Sequence, residues 1–222
     1  YFASANWGKR SIALDISHAA GQEVVARLAQ NADIVIVSYK PGDDAKFGVD
    51  YERLQALNPR VIYLQVNAYG EGDDRAGFDA VIQAEAGFTF LNGDADGPPT
   101  KMPVALVDVL AAHQLKEGLL LALLRREREG LGSFVTTSLL GAATASLANQ
   151  ATNYLVAGVE PARMGSEHPN VVPYGTIFES QDGREFVIAV GTDRQYRAFV
   201  EALDLTELAD DRRFSGNSER VA

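Results

Sequence analysis

Ala32-Asp-Ile-Val-Ile-Val37 and Val61-Ile-Tyr-Leu-Gln-Val66 are two short, nearly unbroken apolar runs. Val- and Ile-rich runs of this length, without polar alternation, read as strands buried on both faces in a parallel sheet covered by helices. Between them Lys40-Pro-Gly42 breaks the chain, and Tyr51–Leu57 has a helical pattern stopped by Asn58-Pro59. Strand, helix, strand in that order implies a right-handed crossover and parallel pairing. Upstream, Ser11-Ile-Ala-Leu14 reads as a further short strand and residues 17–29 as a helix with Val24, Val25, Leu28 and Ala29 as its apolar positions. Downstream, residues 78–86 are helical and residues 92–99 form a turn cluster. Residues 109–129 make a long helix with Leu115, Leu119, Leu120 and Leu123 on one face, closed by Gly130. Residues 134–138 are strand-like and residues 142–157 are an Ala-rich helix. The pattern then changes. Residues 172–178 and 185–190 flank Gln181-Asp-Gly183, a hairpin signal, and a helix follows over 194–202. The expected fold is α/β: a large Rossmann-like parallel-sheet domain over residues 1–164 and a smaller α+β domain over residues 165–222.

Composition narrows the function. The 222 residues carry a net charge of −10, which excludes nucleic-acid binding driven by overall positive charge but allows a local basic pocket. Apolar residues make up 46% and charged residues 23%, so the chain can bury a core. The longest apolar stretch, residues 104–124, is interrupted by Asp108, His113, Lys116 and Glu117, so no membrane span is expected. The absence of cysteine excludes disulfides, thiolate metal sites and Cys nucleophiles. With no secretory signal, the cytoplasm is the default location. The first residue is Tyr1 and the last residues, 218–222, add no closing element, so a chain trimmed at both ends is expected.

No metal, Walker A, G-x-S-x-G or complete G-x-G-x-x-G pattern is present, and His18, His113 and His168 are far apart. Asp108 stands out among the carboxylates because it lies between Val104-Ala-Leu-Val107 and Val109-Leu-Ala-Ala112. An Asp there suits a helix N-cap, and the same placement suits a nucleophile held ionised by free N–H groups. Asp79, after Gly77-Phe78, also starts a helical pattern and suits a cap or first-turn acid. Lys9-Arg10, Lys40 and Lys46 are either solvated turns or phosphate contacts.

In combination these segments become specific. Asn6-Trp-Gly-Lys-Arg-Ser-Ile-Ala-Leu-Asp15 resembles the N-x-G-K-R-S-x-x-L-D segment of class III CoA-transferases, the family of formyl-CoA transferase, carnitine CoA-transferase and bile-acid-inducible protein F. Residues 32–42 resemble its ADVVVENFRPG segment, and residues 57–63 its LNPRLIY segment. Ala76-Gly-Phe-Asp79, Asp96-Gly-Pro-Pro99, residues 165–174 and residues 214–221 follow in family order. Family members are considerably longer and extend beyond both ends of this sequence.

The resemblance implies an acyl-CoA:carboxylate CoA-transferase. Its nucleophile is the Asp that opens the helix after the Gly-Pro-Pro turn, a place held by Asp108. Acyl-CoA and coenzyme A enter as substrates, a carboxylic acid is the acceptor, and no metal is implied. The large domain is implied to bind CoA, with Asn6, Lys9, Ser38, Tyr39, Lys46, Phe47, Phe78 and Asp79 at the family's cofactor positions. Ser38 replaces a common Asn and Lys46 a common Arg, which trades a bidentate fork for a point charge. The family fold is an interlocked homodimer. Two alternatives remain open. An acyl-CoA racemase of the same fold needs a His directly before the Asp matched by Asp79, and Phe78 stands there. A catalytically incompetent fragment is the other.

Overall fold

A computed structural model describes residues 2–221. In chain order the elements are α1 (Phe2–Ala5), α2 (Ala19–Ala29), β1 (Ile34–Val37), α3 (Asp43–Lys46), α4 (Tyr51–Leu57), β2 (Ile62–Asn67), α5 (Asp79–Glu85) and α6 (Phe88–Leu91). Then come α7 (Leu106–Glu129), β3 (Ser133–Ser138), α8 (Leu139–Ala145), α9 (Ala148–Ala157), β4 (Tyr174–Glu179) and β5 (Glu185–Ala189). The chain finishes with α10 (Asp193–Ala202), α11 (Glu207–Asp210), a 3₁₀ turn (Arg212–Phe214) and α12 (Asn217–Val221). They fall into two compact units, residues 2–79 with Val107–Ala142, and Ala80–Leu106 with residues 143–221. The boundary expected near residue 165 falls inside the second unit.

The first unit is built on a parallel sheet in the order β1-β2-β3. Central β2 is buried on both faces, as its unbroken apolar run implies. Tyr63 packs with Ala29 of α2 and Leu54 of α4 on one face, while Ile62 and Leu64 pack with Leu115 and Ala122 of α7 on the other. This is a three-layer helix–sheet–helix arrangement. Edge strand β1 departs from expectation: Ile36 is 65% exposed, because its side chain lines an open cleft instead of packing under a helix. Ser11–Leu14 forms no strand and Ile12 is exposed, since β propensity without a partner ladder does not make a strand. Glycine permits two close approaches here. A Cβ at Gly118 on α7 would come within 2.4 Å of Val135 on β3, and one at Gly132 would strike the backbone carbonyl of Val61.

The second unit holds the antiparallel β4–β5 hairpin across the Gln181-Asp-Gly183 turn. Ile188 and Val190 pack with Tyr196 and Val200 of α10. Arg220 ties this unit together. Its nearly buried guanidinium donates to the carbonyls of Val172 and Phe214, pairs with Asp193 at 2.6 Å and lies 4.4 Å from the Tyr196 ring centre. The single helix expected over 142–157 is two helices. α8 follows β3 directly, anchored by Leu140 N–H donating to the Ala68 carbonyl, and Ala148 starts α9 from a left-handed φ of 46°. Among the described residues no helix is long and apolar enough to cross a membrane.

Candidate active site

The first unit contains a cleft of about 720 Å³, within the size range of small-molecule sites. It opens where the three parallel strands end. Ser38, Tyr39, Lys40 and Pro41 follow β1, Asn67 and Ala68 close β2, and Leu139 follows β3. In open α/β sheets the loops at the carboxyl ends of the strands form the ligand site. The opposite wall is a stripe of α7: Asp108, Ala111, Ala112, Leu115, Lys116 and Leu119. Residues 73 and 75–79 complete the lining. Most of the surface is apolar, and a few polar groups converge on it.

Asp108 does not cap α7. The helix starts two residues earlier, at Leu106, so Asp108 stands in its first turn. The capping acceptor is Asp79, whose Oδ1 takes the Val107 N–H at 2.8 Å across 28 residues of sequence. This bond fixes the helix start beside the cleft and sets two carboxylates near each other. The pKa of Asp108 is pushed above the ordinary carboxylate value, first by burial and second by the charge of Asp79. That direction is opposite to a carboxylate held ionised by helix N–H groups. The physical reason is first the desolvation of Asp108 beside the apolar cleft and second the negative charge of Asp79, which also takes the Val107 N–H.

Ser38, Tyr39, Phe78, Asp79 and Asp108 therefore line one cleft. Lys46 and Phe47 stand outside its lining but adjoin it: the Phe47 ring is 5.7 Å from that of Tyr39, and Lys46 Nζ is 5.3 Å from the Phe47 ring. Asn6 and Lys9 also stand outside the lining and contact each other, Lys9 Nζ donating to Asn6 Oδ1 at 3.5 Å. Three basic residues in the lining were not singled out together by the sequence: Lys40, Arg75 and Lys116. Arg75 is engaged by Asp73 through Nη2 at 2.8 Å and stacks on Tyr69 at 3.8 Å. Lys116 carried a legible signal, because Asp108, Ala112 and Lys116 follow the four-residue spacing of one helix side. His168 is occupied in its own loop. Its Nδ1 accepts the Asn170 N–H at 3.1 Å and its ring meets Tyr174 edge-on. Among the described residues no group of His, Asp and Glu is arranged to hold a metal ion.

The chain that folds into this parallel α/β unit is similar to known proteins over its whole length. The profile described as CoA-transferase family III covers residues 1–222, and the chain belongs to that family. It is 38% identical to the succinate–glutarate CoA-transferase of Agrobacterium fabrum over 100% of this chain and 56% of that protein. It is 34% identical to the succinyl-CoA:glutarate CoA-transferase of Mus musculus over 100% of this chain and 51% of that protein. A CAIB/BAIF family protein from Brucella suis has a similar crystal structure, with a TM-score of 0.76 and 40% identity over 96% of this chain and 57% of that one. The chain thus spans about half the length of the curated relatives it matches.

Proposed function

We propose that this chain carries the nucleophile and much of the CoA-binding surface of an acyl-CoA:carboxylate CoA-transferase. The observation that carries the proposal is Asp108 in the first turn of α7, opening onto an apolar cleft at the strand ends in a chain of this family. The Asp108 carboxylate attacks the carbonyl carbon of the donor thioester. The C–S bond breaks, CoA leaves as thiolate, and a mixed anhydride remains on Asp108. The thiolate then attacks the aspartyl carbonyl, releasing the donor acid and leaving an aspartyl-CoA thioester. The acceptor carboxylate attacks that thioester, and the steps run in reverse to give the new acyl-CoA and free Asp108. Each intermediate keeps an activated acyl bond, so no ATP is consumed. Leu64, Leu115 and Leu119 give the cleft an apolar wall, which suits an anhydride that must transfer its acyl group before water reaches it.

Ser38, Tyr39 and Phe78 contact the CoA arm, and Lys40 is placed after β1 to meet a phosphate. Lys46 and Phe47 support the same end through Tyr39. Asn6 and Lys9 belong to the nucleotide end in this reading. The intact protein works as a homodimer. Both relatives described above are named for glutarate, and short dicarboxylates are the proposed donors and acceptors. The test supplies succinyl-CoA with a panel of carboxylic acids, without ATP, and follows the thioesters by mass spectrometry. Glutaryl-CoA is expected to form as succinate is released. Exchange of the acyl α-proton with no movement of CoA would overturn the reading and favour a racemase.

A further inference from the structure

Lys116 lines the same cleft as Asp108, and the steps above give it no task. Both residues lie on α7, eight positions apart, so about 12 Å of helix axis separates their Cα atoms. Side chains on a helix lean toward its N-terminus, and eight positions turn the two by about 80° around the axis, so with a lysine stem about 6 Å long the two head groups stand on the order of 10 Å apart. Between them the wall is apolar: Ala111, Ala112, Leu115 and the neighbouring Leu64. Lys116 Nζ lies 2.9 Å from His113 Nδ1. That contact steadies the ammonium and leaves further N–H donors for a ligand. Among the described residues no carboxylate pairs with Lys116 at ion-pair distance, so its charge is not neutralised.

A nucleophilic carboxylate and a steadied cation at the two ends of an apolar wall measure out a ligand. The ligand carries one carboxyl group to react and a second negative group a few carbons away. With the reacting carbonyl bonded to Asp108, the distal carboxylate of a four- or five-carbon diacid lies about 5–6 Å further along. A charge-assisted hydrogen bond of about 2.8 Å closes the remaining gap. We infer that Lys116 is a specificity-determining residue that takes the distal carboxylate of a dicarboxylic acyl group and so selects diacids over monoacids of equal length. This rests on the assignment of the cleft around Asp108 as the acyl site.

The test compares the affinities of glutaryl-CoA and pentanoyl-CoA by calorimetry in an Asp108→Asn background, where no bond forms to the acyl group. The two ligands share CoA and chain length, so their ratio isolates the distal carboxylate. The protein with Lys116 intact is expected to prefer glutaryl-CoA by about tenfold to a hundredfold. Lys116→Met should bring the ratio to about one, and Lys116→Arg should largely keep it. A ratio near one with Lys116 intact, or a ratio unchanged by Lys116→Met, overturns the inference. Absence of CoA movement in the transfer assay would defeat the catalytic reading separately, because the affinity ratio does not depend on turnover.

Discussion

Two helix starts, those of α5 and α7, each carry one aspartate, and their environments give these groups different tasks. Asp79 opens α5, yet its Oδ1 is committed to the Val107 N–H at the start of α7. Asp108 lies in the first turn of α7, faces the cleft, and has its pKa raised by burial and by Asp79. The same side chain near a helix N-terminus is thus a structural acceptor in one place and, in the proposed function, the nucleophile in the other. What separates them is which one holds the backbone donor. The repulsion is useful because a carboxylate with a higher pKa is the stronger base and nucleophile once ionised.

The largest effect expected from breaking this contrast is at Asp108. Asp108→Ala should lower CoA transfer by about 10⁴-fold or more, with an unchanged circular dichroism spectrum. Normal turnover in that variant would remove the nucleophile assignment. Next comes Asp79. Asp79→Ala deprives α7 of its cap and shifts the Asp108 backbone, so turnover should fall by about 10²-fold. Asp79→Asn separates cap from charge: the amide oxygen still accepts from Val107, while the repulsion is gone. The Asp108 pKa then falls, and the acid limb of the rate profile should move to lower pH with turnover mostly kept. If that limb does not move, the charge of Asp79 does not govern Asp108.

The smallest effect is on stability. A carboxylate whose folded pKa is raised binds its proton more tightly in the folded state. Its contribution to stability is therefore present at low pH and lost as pH rises through the raised pKa. Asp108→Asn should raise the unfolding midpoint at neutral pH by about 1–2 °C, a small figure because Asp108 is partly solvated. The gain should vanish in acid. Differential scanning fluorimetry at several pH values reads it, and a gain that grows toward acid would contradict the raised pKa.

Some of this was legible in the sequence and some was not, for identifiable reasons. The run from Val61 announced β2 because both of its faces are filled, by Ala29 and Leu54 on one side and Leu115 and Ala122 on the other. The similar run from Ala32 announced β1 but not that Ile36 is exposed, because the open cleft that its side chain lines is formed by residues distant in sequence. Ser11–Leu14 had strand-like residues and no ladder to join. Asp108 was legible through its apolar flanks and the family motif. The true start of α7 was not, because the cap comes from a residue 28 positions upstream that only tertiary structure brings to Val107. The cleft drew in Ser38, Tyr39, Phe78, Asp79 and Asp108, all named from motif positions, together with Lys40, named as a candidate phosphate contact, and added Arg75 and Lys116.

The central claim is that Asp108 is acylated and then carries CoA. Its most direct measurement is to incubate the protein with succinyl-CoA, quench with hydroxylamine, and map the modified residue by peptide mass spectrometry. Hydroxylamine converts an aspartyl thioester or anhydride to a hydroxamate, so a hydroxamate on Asp108 that requires succinyl-CoA is the predicted result. Turnover without any adduct at Asp108, or an adduct on a different residue, would contradict it.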